Sequence, residues 1–161
     1  MNSNSTELSA AERYRNSRSA ATYPNLKKFE AELPFPLDEF QIEACRALES
    51  GAGVLVAAPT GAGKTVVGEF AIHIAMSSGQ KVFYTTPIKA LSNQKFAELV
   101  KRYGKERVGL LTGDTNQNSE AQVVVMTTEV LRNMIYANSE TLMELGFVVM
   151  DEVHYLADRF R

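Results

Sequence analysis

Four positions packed into one short turn could act on a phosphate. In APTGAGKT, residues 58 to 65, Gly61 and Gly63 carry no Cβ, so backbone N–H groups there can turn inward on an anion. Lys64 can reach the β- and γ-phosphates of a nucleotide, and the Thr65 hydroxyl can take one position on Mg²⁺. Thr60 and Ala62 complete the loop. The first position of the usual G-x-x-x-x-G-K-[ST] pattern is Ala58 here, while the glycines nearest the lysine are kept. A second cluster stands far along the chain, where the apolar run of FVVMDEVH (147 to 154) stops abruptly at Asp151, Glu152 and His154. Adjacent acids at the end of a buried strand cost stability unless a cation or ligand faces them. Asp151 suits a Mg²⁺ held through water, and Glu152 suits the orientation and activation of an attacking water.

Such residues need a scaffold, and the hydrophobic pattern supplies one. Short β-rich runs recur as GVLVAA, KVFYTT, RVGLLT, QVVVMTT and FVVMDE, beginning at residues 53, 81, 107, 122 and 147. Helical spacing separates several of them, over about 64–78, 88–103 and 128–137. The pattern predicts an α/β fold with a mostly parallel sheet flanked by helices, its strands buried on both faces. A further helix is expected after Leu37, with Asp38 as its N-cap and Gly51 as its stop. In a parallel sheet the strands end on one edge, where open α/β folds bind ligands. Thr85-Thr86-Pro87, Thr112-Gly113 and Thr127-Thr128-Glu129 would then line that edge as helix starts and turns. Such a row could grip successive phosphates of a nucleic-acid strand, helped by Lys89 and Lys95.

Composition sets the outer limits. The 161 residues suffice for one domain with a real core, and the formal net charge of −2 gives no global basic field. A nucleic-acid partner must therefore be held locally. The single Cys45 excludes an intramolecular disulfide and reads as cytosolic, giving a cytoplasmic expectation. No apolar run approaches the roughly 20 residues of a membrane span, so no membrane association is expected. Residues 1–33, rich in Ser, Asn, Ala and charge, read as a polar, mobile extension with a short helix around 7–20. His73 reads as a packing or surface residue, Met126, Met134 and Met150 as core fillers, and KRYGKER (101 to 107) as a solvated helix end.

APTGAGKT, TTPIKALSNQK, TGD, MTTEVLR and DEVH, in that order, resemble motifs I, Ia, the TGD turn, Ib and II of superfamily 2 helicases. His154 in the fourth place of motif II, with SNQK and TTEVLR, is similar to the superkiller-type (Ski-like) DEVH-box RNA helicases and, among them, to an actinobacterial branch. The resemblance covers about Phe35 to Arg161. It implies a P-loop NTPase, with residues 34–161 forming the first RecA-like ATP-binding domain, incomplete after motif II. Implied cofactors are ATP and Mg²⁺, the metal held by Thr65 and, through water, Asp151. Implied catalytic residues are Lys64, Asp151 and Glu152. The adenine site would fall on Phe35, stacking on the base, and Gln41, reading its polar edge. His154 would couple this site to later motifs. Lys89, Ser92, Asn93, Thr112, Gly113 and Thr127 would lie along single-stranded nucleic acid, RNA favoured over DNA.

The activity so implied is ATP-driven 3′-to-5′ translocation on RNA and its unwinding. The alternatives are a DNA helicase or translocase of the same superfamily or, for this piece alone, a non-catalytic nucleotide- or RNA-binding module. The family also places a strand leading into motif III between the P-loop strand and the motif II strand. Residues 53–58 and 147–151 are therefore expected to share no backbone ladder, and the piece alone to be inactive.

Overall fold

The computed structural model describes Ser9, residues 22–59 and residues 61–157. The chain divides into two compact units, residues 1–58 and 59–161.

In the first unit, helix α1 spans Pro24–Glu32 and α2 spans Glu39–Glu49. Pro24 opens α1 at a position where a missing N–H costs nothing. Leu26 and Phe29, three apart and so on one face, are fully buried. The Glu49 carboxylate at the end of α2 accepts from the backbone N–H groups of Asn25 (2.8 Å) and Leu26 (2.9 Å). It thereby satisfies two donors that the first turn of α1 leaves open and puts negative charge at its positive end. This differs from the polar extension expected over residues 1–33. Two apolar side chains and one distant carboxylate suffice to fix residues 24–32 as a packed helix. The helix expected around 7–20 lies outside the described residues, Ser9 apart.

Helix α2 begins with a capping box in which Asp38 and Gln41 bond each other's backbone N–H groups. It ends at Gly51, whose φ of +84° is open to glycine without strain. Residues 52–59 then form no regular structure, and Leu55 is 82% exposed. The strand expected over GVLVAA is thus absent. An extended run becomes a strand only when a neighbour takes its N–H and C=O groups, and no ladder of the described residues includes it.

The second unit carries the sheet. Its elements are α3 (Thr65–Ser78), β1 (Lys81–Thr86), α4 (Lys89–Tyr103), β2 (Val108–Leu111), β3 (Asn116–Gln117), β4 (Val123–Thr127), α5 (Thr128–Tyr136) and β5 (Leu145–Met150). Short 3₁₀ turns occupy Glu140–Glu144 and Val153–Ala157. The strand order is β3-β2-β4-β1-β5, and only β3 runs antiparallel to its neighbour. Side chains alternate across the sheet as the strand period requires. Val82 and Tyr84, Val108 and Leu110, and Val123 and Val125 pack on one face with Ile72 and Ala75 of α3 and Leu99 of α4. Phe83, Val124 and Met126 pack on the other with Leu131 of α5.

Strand β5 departs from the buried strand expected. Its residues alternate between half-buried and exposed, with Val148 43% and Met150 45% exposed. It pairs with β1 alone, so among the described ladders it is an edge strand. Phe147 and Val149 face the core shared with α3 and α4, leaving Val148 and Met150 for the opposite face. Met126 is a core filler as expected; Met150 is not.

Register brings the strand ends together. Thr86 pairs with Thr127, Thr85 with Met150 and Leu111 with Met126. The four parallel strands accordingly finish on one edge, the edge that the sequence marks for ligand binding.

Candidate active site

The loop before α3 is built for close approach. Gly61 and Gly63 hold φ values of +84° and +77°, the left-handed region that a side chain disfavours. A Cβ placed on Gly61 would meet nothing within 4 Å, so the space over the loop is open. Ala62 N–H donates to the Pro59 carbonyl (3.2 Å), closing the turn. Thr65 is the first residue of α3, with Lys64 at its N-cap, so the positive end of the helix dipole faces the loop. The Lys64 ammonium donates to the Pro59 carbonyl at 3.0 Å. Thr60 lies outside the described residues.

At the end of β5, Asp151 is held on every side. Its N–H donates to the Thr85 carbonyl (2.9 Å), continuing the ladder one residue past the strand. Oδ1 accepts from the Glu152 N–H at 2.9 Å, and Oδ2 accepts from the Tyr84 hydroxyl at 2.7 Å. Burial, followed by the charge of Asp151, pushes the Tyr84 phenol far above its ordinary range, so it stays a neutral donor. Glu152 adopts a left-handed backbone with φ +54°, an uncommon conformation for a residue with a side chain. Its carboxylate lies 3.3 Å from His154 Nδ1, and the His154 ring rests against Tyr155 with centroids 4.8 Å apart.

Tyr84 also joins the two clusters. Gly68, in the first turn of α3, has a Cβ position 3.4 Å from Tyr84 Cε2 and 3.9 Å from the Tyr84 oxygen. The helix that opens at the loop therefore passes against the ring whose hydroxyl holds Asp151. The helix that follows the loop and the first residue of DEVH, distant in sequence, thus meet at this one side chain. Sequence reasoning missed it, because a tyrosine inside KVFYTT reads as one more β-former.

The residues assigned to the adenine belong to the first unit. Phe35 is 47% exposed, whereas Gln41 is 3% exposed and its Oε1 accepts from the Asp38 N–H at 2.8 Å. The capping box thus engages Oε1 and leaves the role of the Nε2 amide to the base-reading proposal.

Along the sheet edge, the candidate nucleic-acid residues divide. Asn93 and Gly113 are exposed and Thr127 is half-buried. Lys89 is ion-paired with Asp114, which also accepts from the Thr112 hydroxyl (3.0 Å). Those contacts hold the Asp114 carboxyl below its ordinary range, the Lys89 bond contributing most. Ser92 is fully buried, its hydroxyl 2.7 Å from that of Thr86, and Thr112 is 6% exposed. Ser92 and Thr86 therefore brace the turn between β1 and α4. Neither of these helix starts is capped by a threonine side chain: Ile88 is the N-cap of α4, and Thr127 at α5 makes no cap hydrogen bond. Thr128 instead ties α5 to the Thr86 carbonyl at 3.3 Å.

Among the described residues, no group of three or more His, Cys, Asp or Glu could hold a metal by itself. No described helix is long and apolar enough to cross a membrane.

Comparison with known proteins agrees with this geometry. A family model described as DEAD/DEAH box helicase matches residues 38–161. The chain is 68% identical over 136 residues to "Probable helicase HelY" of Mycobacterium tuberculosis, covering 84% of this chain and 15% of that protein. It is 47% identical over 138 residues to "Exosome RNA helicase MTR4" of Homo sapiens, covering 86% of this chain and 13% of that one. The fold is similar to that of a hypothetical ATP-dependent RNA helicase from Sulfolobus tokodaii, with a TM-score of 0.61 at 24% identity, over 83% of this chain and 42% of the other. The chain spans about one seventh of the curated relatives it matches. With its loop, its DEVH strand end and its parallel sheet, the chain belongs to the DEAD/DEAH box helicase family.

Proposed function

We propose that the chain is the ATP-binding portion of an ATP-dependent RNA helicase that couples hydrolysis to 3′-to-5′ movement along RNA. The observation that carries the reading is the junction at Tyr84, where the loop helix, through Gly68, and the Asp151 carboxylate meet on one side chain. An anion cradle and a fixed carboxylate at one sheet edge suit a nucleoside triphosphate with its metal.

The residues present fit that pair. The open space over Gly61 can admit a phosphate. One strand-end carboxylate and one helix-start hydroxyl form the hard-oxygen set that Mg²⁺ uses when phosphates and waters supply the remaining positions. Thr65 and Asp151 would hold the ion, Asp151 through water. When bound, Mg²⁺ draws off charge that develops on the transferred phosphoryl group. Lys64 leaves Pro59 to neutralise the β- and γ-phosphates. Glu152 orients the attacking water and accepts its proton, with His154 beside its carboxylate. Phe35 stacks on the adenine, and Gln41 reads its edge.

Lys89, Asn93, Gly113 and Thr127 sit along the edge where a strand of nucleic acid would run, a contact set that reads phosphates rather than bases. The RNA assignment follows the relatives named as RNA helicases. ATPase stimulation of the full-length protein by single-stranded RNA and by DNA of the same length tests it. Stronger stimulation by RNA supports the proposal, while equal or stronger stimulation by DNA replaces it with a DNA translocase.

A further inference from the structure

We propose that Tyr84 is a positioning residue for Asp151, its hydroxyl setting how well that carboxylate serves the metal-bound nucleotide. The proposal rests on the reading of this edge as an ATP–Mg²⁺ site. A carboxylate at the open end of a strand would ordinarily rotate among several orientations. Here both oxygens are engaged, Oδ1 by the Glu152 N–H and Oδ2 by Tyr84. A carboxylate offers about four lone-pair sites, so each oxygen keeps capacity for a metal-bound water.

The donor is itself immobilised. Tyr84 is 1% exposed. Its ring is walled on one side by α3, where the Cβ position of Gly68 lies 3.4 Å from Cε2, and the same position is 3.0 Å from Val149 Cγ1 of β5. The Lys95 ammonium of α4 lies 5.5 Å from the ring centroid, within range of a cation–π contact. A buried phenol needs a partner for its hydroxyl, and most find a backbone carbonyl or water. This one reaches a charged carboxylate at a strand end, which makes the bond charge-assisted and directional. Phenylalanine would fill the same space without the donor.

The test compares wild type and Tyr84→Phe for ATP affinity, once in EDTA and once in saturating Mg²⁺, with Mn²⁺ binding read by electron paramagnetic resonance. Partners that orient a metal-site ligand are typically worth 10- to 100-fold in metal affinity. The expected result is an EDTA affinity unchanged within about twofold, with the metal-dependent gain and the Mn²⁺ affinity each reduced about tenfold. Equal metal-dependent gains in the two proteins overturn the proposal. So does a parallel loss with and without metal, which marks a purely structural role. A wild-type protein that gains no ATP affinity from Mg²⁺ fails at the prior step, the site reading itself, and takes the proposal with it. Should Tyr84→Phe not fold, wild-type protein labelled with ¹³C at tyrosine Cζ decides. A shift of the Tyr84 resonance when Mg²⁺ joins the ATP complex supports the role, and an unmoved resonance overturns it.

Discussion

The ammonium of Lys64 donates to the carbonyl of Pro59, 3.0 Å away and five residues back in the same loop. The lysine thus closes the cradle on itself, its charge lying over the backbone that would surround a phosphate. Binding a nucleotide exchanges the exposed Pro59 contact for charge-assisted ones. Lys64→Ala should therefore leave stability within about 0.5 kcal/mol, as for surface positions outside the core. It should nevertheless abolish measurable ATP binding. Thermal melts beside fluorescent-nucleotide titration check both halves, and a large loss of stability would show that the lysine has a structural role.

Glu152 joins chemistry to strain. A residue with a side chain at φ +54° gives up about 1 kcal/mol or more, and such outliers gather at functional sites. Glu152→Gln should keep ATP binding and lower turnover roughly 10²-fold in the full-length protein, as loss of a positioned base does. Glu152→Gly should remove the base and the strain together. It is expected to match or exceed wild-type stability by about 0.5 kcal/mol while turnover falls equally far. Differential scanning calorimetry and single-turnover hydrolysis separate these outcomes; a destabilised Glu152→Gly variant would remove the strain argument.

How much of this was legible before the structure depended on range. The loop and DEVH are local patterns, and period-two and period-3.6 spacing placed α3, α4, β1, β2 and β4 to within a few residues. What escaped was decided by partners elsewhere in the chain. GVLVAA has the composition of a strand, yet a strand exists only as a pair. Pro24–Glu32 looked polar because the carboxylate completing its first turn, Glu49, lies 24 residues away from Asn25. Ser92 and Thr112 offered hydroxyls of the right type, but Thr86 and Asp114 engage them. Tyr84 was hidden among β-formers until the fold set Asp151 beside it.

Gln41 serves the helix cap and, by the proposed function, the base. Gln41→Ala removes the acceptor for the Asp38 N–H as well as the amide, costing about 1 kcal/mol in addition to any loss of base discrimination. Gln41→Glu retains a capping-box acceptor and removes only the amide donor. The pair therefore separates the two roles. Both variants should lose preference for ATP over GTP in competition binding, and only Gln41→Ala should melt at a lower temperature. An unchanged preference in Gln41→Glu rejects the base-reading role. Phe35→Ala should weaken both nucleotides alike, since stacking does not depend on base identity.

Gly109 in β2 is required for space rather than for a turn. A Cβ there would lie 2.1 Å from the Asn118 carbonyl oxygen and 2.8 Å from its carbon, both backbone atoms. Asn118 cannot retreat easily. Its own φ is +51°, and its side-chain amide donates to the carbonyls of Lys105 and Glu106, while Ala121 N–H donates to its carbonyl. Gly109→Ala should cost about 3 kcal/mol, the upper end of overpacking, as read by denaturant unfolding. A cost below about 1 kcal/mol would mean that the 116–121 turn is free to shift.

Cys45 supplies a pH signature confined to the first unit. Its thiol is fully buried, and burial pushes it up to about 12 from an ordinary 9.0, with the Glu30 and Glu49 carboxylates adding to the effect. The folded chain therefore keeps this proton where the unfolded chain has lost it. Stability from the thiol is complete below about pH 9 and declines as pH rises toward 12. Cys45→Ala should cost about 1 kcal/mol at neutral pH through lost packing, and its stability should fall less steeply above pH 9. The Cys45 thiol of the native protein should resist iodoacetamide at pH 8 and react at the free-thiol rate once urea unfolds the chain, because the thiolate is the reactive form. Rapid alkylation of the native protein at pH 8 would mean that the packing of α1 on α2 opens far more often than two buried apolar anchors and the Glu49 bonds allow.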